Sequence, residues 1–198
     1  MKAEELKTFR RELRAQKIAE RLALPEAARE EQTARIAERL RQLLAELAPF
    51  TLAFTWPLEG EVDLRPVVAD YLATGAGRRL ALPVVVAPRQ PLVFRQWTPG
   101  CALEEQRFGV MVPAAGQLLL PDLILLPPVA FDEDGYRLGY GGGFYDRTLA
   151  SLTPRPLAVA VGFELSRCPT IHPQEWDQPL DFVITEEALR RFRRRASC

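Results

Sequence analysis

The chain is short of the residues that most often carry covalent or redox chemistry. It has one histidine and three cysteines among 198 residues, and no Ser/His/Asp arrangement is evident around His172, so nucleophilic catalysis of the triad type is not expected. Cys101, Cys168 and Cys198 are far apart and odd in number, with no pair at metal or redox spacing. Free thiols in a reducing, cytoplasmic setting are the expectation. Net charge is absent too: 26 basic residues balance 26 acidic ones, so nothing demands a nucleic-acid or other polyanionic partner at the level of the whole chain. The opening MKAEELKTFRRELR is charged throughout, with no apolar stretch behind it, and no secretory signal is expected. The longest apolar run, LLLPDLILLPPVAF, is broken by Asp122 and three prolines. No membrane helix can be drawn through it. No internal repeat is present, and the proline-rich stretches are too short to be linkers, so residues 1–198 are expected to form a single domain, as a monomer or weak homodimer.

What is present is an alternation of patterns. Leucine, isoleucine and alanine at helical spacing among Glu and Arg predict helices over 2–22 and 25–47. Short apolar or β-branched runs bounded by Gly, Pro and Asp predict strands at 51–56, 80–86, 91–97, 122–128, 157–164 and 181–185. Helices are expected after the first strand, at 62–75, and at 143–152. This alternation predicts an α/β fold: a three-layer α/β/α domain with a mainly parallel sheet, an antiparallel hairpin at LALPVVVAPRQPLVFRQW, and helices before it.

The stretch RLGYGGGFYDR, residues 137–147, carries the chemistry. It follows a buried strand and opens a helix, the position where open α/β sheets bind ligands. Clustered glycines there let backbone N–H groups converge on an anion, helped by the positive end of the helix. A tight turn would explain a lone glycine pair. It would not need Arg137 before the glycines or Asp146 and Arg147 after them, whereas a metal-bound nucleotide benefits from both charges. The spacing fits neither the P-loop nor the dinucleotide fingerprint.

With its flanks, AFDEDGYRLGYGGGFYDRTL resembles the signature of the 5-formyltetrahydrofolate cyclo-ligase family. FRRELR, WPLEGEVDLRPVV, RFGVMVP and WDQPLDFVITEE follow the family's order, so the resemblance spans nearly the whole chain. It implies an enzyme that closes 5-formyltetrahydrofolate to 5,10-methenyltetrahydrofolate at the expense of ATP, with Mg2+, releasing ADP and phosphate. The formyl oxygen would take the γ-phosphoryl group and N10 would then displace phosphate. No protein nucleophile is required.

Residue by residue, the resemblance implies ATP contacts along Arg137, Leu138, Gly139, Tyr140, Gly141, Gly142, Gly143, Phe144 and Tyr145, with catalytic roles for Arg137, Tyr145 and Asp146. Asp146, an exposed carboxylate of small weight for stability, and Asp177 are the implied metal ligands. A turn cap is the alternative for Asp177, and Asp181 is a substitute for it. Glu61 is the implied folate contact, since a carboxylate suits the paired N–H donors of a pterin; a solvated glutamate at a helix start is the alternative. Trp56, Phe144, Tyr140 and the glycines Gly141, Gly142 and Gly143 complete the implied substrate site, although aromatics at strand ends are more often core.

The chain also departs from the family pattern. Leu6 stands where a lysine is usual, leaving Lys7, Arg10 and Arg14 as the ATP-facing cations of the first helix, while Arg11, Lys17 and Arg21 are read as solvated. Gly142 replaces a basic residue found in some relatives, and Trp176 a frequent histidine. His172 is read as solvated, and ALRRFRRRASC as a frayed basic tail. A non-catalytic nucleotide- or RNA-binding module, or an ATP-dependent enzyme acting on another formylated substrate, stays open at this point.

Overall fold

The computed structural model describes residues 2–58, 60–106 and 109–192. Helix α1 (Ala3–Leu22) and helix α2 (Glu26–Leu47) come first, followed by β1 (Thr51–Ala53), α3 (Arg65–Ala73), β2 (Arg79–Val84) and β3 (Val93–Trp97). Three short strands lead to the centre of the sheet: β4 (Leu103–Glu105), β5 (Met111–Pro113) and β6 (Leu118–Leu119) precede β7 (Leu123–Leu126). A small ribbon, β8 (Ala130–Phe131) with β9 (Arg137–Leu138), then precedes α4 (Phe144–Ser151). The chain ends with β10 (Leu157–Val161), a 3-10 turn at Glu164–Ser166, β11 (Phe182–Ile184) and β12 (Leu189–Arg191).

Eight strands make one sheet in the order β12-β11-β10-β7-β1-β2-β3-β6. The central pairings β11–β10, β10–β7, β7–β1 and β1–β2 are parallel. The expected hairpin is β2–β3, antiparallel with Leu80 opposite Trp97. Period-2 side-chain alternation sorts the strands onto two faces. Leu52, Leu80, Leu123, Val159 and Phe182 turn to one cluster, with Ile36, Leu40 and Leu44 of α2 and Val68 of α3. Ala53, Ala81, Ile124, Ala160 and Val183 turn to the other, with Leu149 of α4. The alanines let α4 lie close to the sheet. The result is the expected three-layer arrangement, with one refinement: α2 does not merely precede the sheet but covers one face of it. Each fully buried leucine on these faces contributes about 2 kcal/mol.

Several elements escaped the sequence reading. β4, β5, β6, β8 and β9 have two or three residues each, too few for a periodicity. The basic end is a correction. Leu189–Arg191 is not a frayed tail but the edge strand β12, where Arg190 donates to both oxygens of Glu164 at 2.7 and 2.8 Å and Arg191 to Glu46. Arginines on an edge also discourage pairing with another chain. Residues 193–198 of that segment, Cys198 among them, and Arg107 and Phe108 of RFGVMVP lie outside the described residues. Cys101 and Cys168 are free thiols; burial pushes Cys168 up to about 11. No helix among the described residues is long and apolar enough to cross a membrane.

Candidate active site

β1 leads rightward to β2, whereas β7, β10 and β11 build leftward, so the chain's direction of progress reverses between β1 and β7. In open parallel sheets a crevice forms outside the carboxyl ends of the strands at such a point. Here a cleft is lined by Thr55 after β1, Leu126 and Pro127 at the end of β7, Phe163 after β10, and Arg21 and Glu61.

The glycine segment borders this cleft. Gly141 and Gly143 take positive φ, 96° and 63°, conformations that only glycine adopts without strain, and Gly143 is the N-terminal cap of α4 without any side-chain cap bond. No acceptor is found among the described residues for the N–H groups of Gly141, Gly142 and Gly143. Arg147, one turn into α4, folds back to donate from Nη2 to the Gly142 carbonyl and lies over the Phe144 ring. A cation thus stands against the loop although Gly142 carries none.

Helix α1 faces the loop with one stripe of cations. Arg10, Arg14, Lys17 and Arg21 are spaced 4, 3 and 4 residues apart, which is one side of a helix. Arg14 Nε donates to the Gly139 carbonyl at 2.7 Å. Arg10 donates to the Ile171 and His172 carbonyls, at 3.1 and 2.9 Å, and pairs with Asp177. Burial, and then the charge of Arg10, pull Arg14 below the usual guanidinium range, with Asp177 pulling back. Lys17 donates to the Leu165 carbonyl at 2.6 Å. Lys17 and Arg21 are therefore corrections: they are not solvated but turned inward, because the stripe faces the loops at the sheet's carboxyl edge. Arg11 is exposed, as read. Lys7 is exposed as well and approaches Glu4 at 4.0 Å.

Glu61 is not a solvated helix-start residue. Its side chain is 4% exposed, Oε2 accepts the Leu58 N–H at 2.9 Å, and Oε1 accepts the Tyr140 hydroxyl at 2.6 Å. That hydroxyl in turn accepts from Arg21 at 2.7 Å. Burial of this hydroxyl between two enclosed side chains, and then the Glu61 charge, push Tyr140 well above the ordinary phenol range. Tyr145 shares a 2.6 Å hydrogen bond with Thr55 and is pushed up to about 12, chiefly by burial. Both phenols are neutral at physiological pH.

The two candidate metal carboxylates stand on segments joined by one hydrogen bond. Asp146 Oδ1 pairs with Arg137 at 3.0 Å and accepts the N–H of Gln178, the neighbour of Asp177, at 3.1 Å. Asp146 is thus not a freely exposed carboxylate but the partner of Arg137, whose side chain is 4% exposed. Asp177 also accepts the Gln174 N–H at 2.7 Å, so the turn-cap contact is made together with the Arg10 pair. Asp181 belongs to the framework, accepting from Ala158 N–H at 2.8 Å and pairing with Arg155. No group of three or more His, Cys, Asp or Glu side chains converges among the described residues.

Of the other sequence candidates, Leu138 is buried against Ala130, Cys168 and Ile171. Its carbonyl accepts the Val129 N–H at 2.9 Å, so it serves the β8–β9 ribbon. Trp56 is half-buried against the larger core cluster with the Arg65 guanidinium 4.6 Å over its ring, and Phe144 packs on the α4 cluster. Trp176 is exposed. His172 is not simply solvated: its ring meets Phe9 edge-on at 4.9 Å.

These features sit on a chain whose residues 5–186 match the model of the 5-formyltetrahydrofolate cyclo-ligase family. The chain belongs to that family. It is 33% identical over 175 residues to the 5-formyltetrahydrofolate cyclo-ligase of Escherichia coli (strain K12), covering 83% of this chain and 93% of the relative. To the cyclo-ligase of Mycolicibacterium smegmatis it is 34% identical over 167 residues, 78% and 82% of the two chains. Among solved structures, the NMR structure of Aquifex aeolicus 5,10-methenyltetrahydrofolate synthetase superposes with a TM-score of 0.80 at 32% identity, covering 96% of this chain and 95% of that one. The enzyme class expected from the glycine segment is the one these comparisons carry: a ligase of folate metabolism.

Proposed function

We propose that this cyclo-ligase closes 5-formyltetrahydrofolate to 5,10-methenyltetrahydrofolate in an ATP- and Mg2+-dependent reaction. One observation carries the reading: Tyr140, a member of the glycine segment, is bonded directly to Glu61, so the proposed phosphate loop and the proposed pterin contact meet at a single residue. Transfer of a phosphoryl group from nucleotide to folate needs that adjacency.

The unpartnered amides of Gly141 to Gly143, the N-terminus of α4, and Arg10, Arg14 and Arg147 offer an anion site. Arg14, with no carboxylate of its own and Arg10 beside it, gains most from an added phosphate. Glu61 takes the paired N–H donors of the pterin, and the apolar walls of the cleft exclude water. The formyl oxygen attacks the γ-phosphorus, the bond to ADP breaks, and the formyl carbon becomes electrophilic. N10 then adds to that carbon and loses its proton, and phosphate leaves with the former formyl oxygen as the ring closes. Arg137, Arg10 and the loop amides stabilise the charge spread over the transferring group. Tyr145 keeps its proton, and its hydroxyl, bonded to Thr55, is a neutral hydrogen-bonding group at the end of β1.

Asp146 and Asp177 suit magnesium, an ion that keeps several waters and takes one or two protein carboxylates; the bonds to Asp146 fall on Oδ1. When bound, magnesium neutralises phosphate charge and so favours the transfer.

The test is to mix the protein with ATP, MgCl2 and 5-formyltetrahydrofolate and follow the near-ultraviolet absorbance of the methenyl product. Product formation that stops when ATP or magnesium is omitted is the expected result. Absence of product with all three present refutes the reading. Magnesium-independent turnover would remove Asp146 and Asp177 from the metal role.

A further inference from the structure

Arg21 is the buried residue of α1, a cation only 5% exposed at the last turn, against 12% for the side chains of Arg10 and Lys17 on the same stripe. Such burial calls for partners. Nη2 donates to the Tyr140 hydroxyl at 2.7 Å, Nη1 lies 3.8 Å from Glu61 Oε1, and Nε is buried without a partner among the described residues. Arg21 and Glu61 both line the cleft at the carboxyl ends of β1 and β7.

The direction of the chain of bonds is forced. A guanidinium has no acceptor, so the Tyr140 oxygen must accept from Arg21. The single phenolic proton is then committed to Glu61 Oε1, 2.6 Å away. Tyr140 therefore works as a one-way relay whose far end presents a proton to the carboxylate. A carboxylate has about four lone-pair positions, two on each oxygen. Tyr140 takes one on Oε1 and the Leu58 N–H one on Oε2, which leaves one on each oxygen.

We infer that Arg21 and Tyr140 are positioning residues for the substrate: through this relay they hold the Glu61 carboxylate with one open acceptor on each oxygen, matched to a planar heterocycle presenting two adjacent N–H donors. The inference rests on the proposed contact of Glu61 with the pterin. It adds two residues that touch the carboxylate from behind rather than the reacting atoms. It also gives the exposed ring of Tyr140, 47% open, a reason to sit where the glycine loop comes over the cleft: the loop and the carboxylate are tied, so the phosphate site and the pterin site keep a constant separation.

The test uses the full-length protein with Tyr140→Phe, Arg21→Met, Arg21→Lys and the Arg21→Met/Tyr140→Phe pair. KM is measured separately for 5-formyltetrahydrofolate and for ATP, alongside a thermal melt. Loss of one hydrogen bond to a charged group should raise the folate KM roughly tenfold in Tyr140→Phe and in Arg21→Met, with the ATP KM within about twofold of wild type. Arg21→Lys should recover most of the loss, and the double variant should be no worse than its weaker single, because both substitutions cut the same relay. A purely structural role would move both KM values together or neither. An unchanged folate KM, or equal rises in both, in folded variants overturns the relay. Should Arg21→Met melt before the assay temperature, Tyr140→Phe, which removes one oxygen from a half-exposed ring, decides alone. Wild-type turnover with unaffected variants refutes the relay only; a wild type that neither forms product nor binds 5-formyltetrahydrofolate in a calorimetric titration refutes the folate reading and the relay with it.

Discussion

Replacing Gly141 by valine separates an anion-binding loop from a mere turn. The Cβ at this position meets nothing closer than the Arg14 guanidinium carbon at 3.6 Å, an ordinary contact, so the side chain fits the space. The cost is in the backbone, because φ is +96° and a β-branched residue resists that region by about 1–3 kcal/mol. For a domain of this size each kcal/mol lowers the melting temperature by about 2–4 °C, so a fall of roughly 2–12 °C is expected and the protein stays folded at room temperature. Binding suffers more. The valine methyls stand between the loop and Arg14, and relief of the strain turns the amides away from a common point; losing one charge-assisted N–H bond alone weakens ATP about tenfold or more. Gly139→Ala is the control, since its φ lies outside the left-handed region and its Cβ meets nothing within 4 Å. It should leave the melt unchanged. The assay is calorimetric titration of Mg-ATP beside the melt. A Gly141→Val protein that is folded, destabilised as calculated and unaltered in ATP affinity would show that these glycines only turn the chain and that the phosphate site lies elsewhere.

Asp146→Asn should lower activity by orders of magnitude at limiting magnesium and also cost about 1–3 kcal/mol, because the buried Arg137 guanidinium loses its charged partner while the Gln178 bond can persist; full activity at limiting magnesium would leave Asp146 only as the partner of Arg137. Alkaline titration followed at 295 nm should show far less tyrosinate near pH 10.5 in the native protein than in urea, since Tyr71, Tyr140 and Tyr145 are all raised by burial. The sign for stability follows: the neutral phenol is favoured in the fold, so Tyr145 contributes stability that is complete below pH 10 and is lost as pH rises toward about 12. Tyr145→Phe should flatten that loss, and an unchanged alkaline slope would refute the assignment.

The central strands were legible because both faces of the sheet are covered, which makes runs such as DLILLPP and LAVAVGFE continuously apolar. The glycine segment was legible because loss of Cβ and flanking charge rarely coincide without a ligand. Other features needed the third dimension. β8 and β9 exist only through each other and have no period to read. On α1 the sequence groups Lys7 and Arg10 on one face with Arg14 a turn further, and leaves Lys17 and Arg21 to solvent; the spacing of Lys17 and Arg21 from Arg10 and Arg14 is the signal that puts those four on one stripe. The meeting of Tyr140 with Glu61 spans 79 residues of sequence. Nothing in either segment alone announces it, because tyrosine among glycines and glutamate before a helix are each ordinary until the β1–β7 reversal brings them to one cleft.

The charges of the proposed nucleotide site close on themselves in pairs: Arg10 with Asp177, Arg137 with Asp146. Burying any one of these four without its partner would be costly, which is why the chain can hold two arginines and two carboxylates at a half-enclosed edge of the sheet. A metal-bound nucleotide offers a cation to each carboxylate and phosphate oxygens to each arginine, so its entry exchanges partners rather than adding unpaired charge. The exchange is also coupled. Asp146 on α4 accepts from the backbone of Gln178, next to Asp177, while Arg10 holds the same loop through the Ile171 and His172 carbonyls. A shift of either carboxylate toward a shared ion therefore pulls on α4, on the 171–178 loop and on α1 together. At the proposed site, binding would therefore act on the segment that Arg14 holds through the Gly139 carbonyl, and that segment is tied to Glu61 through Tyr140.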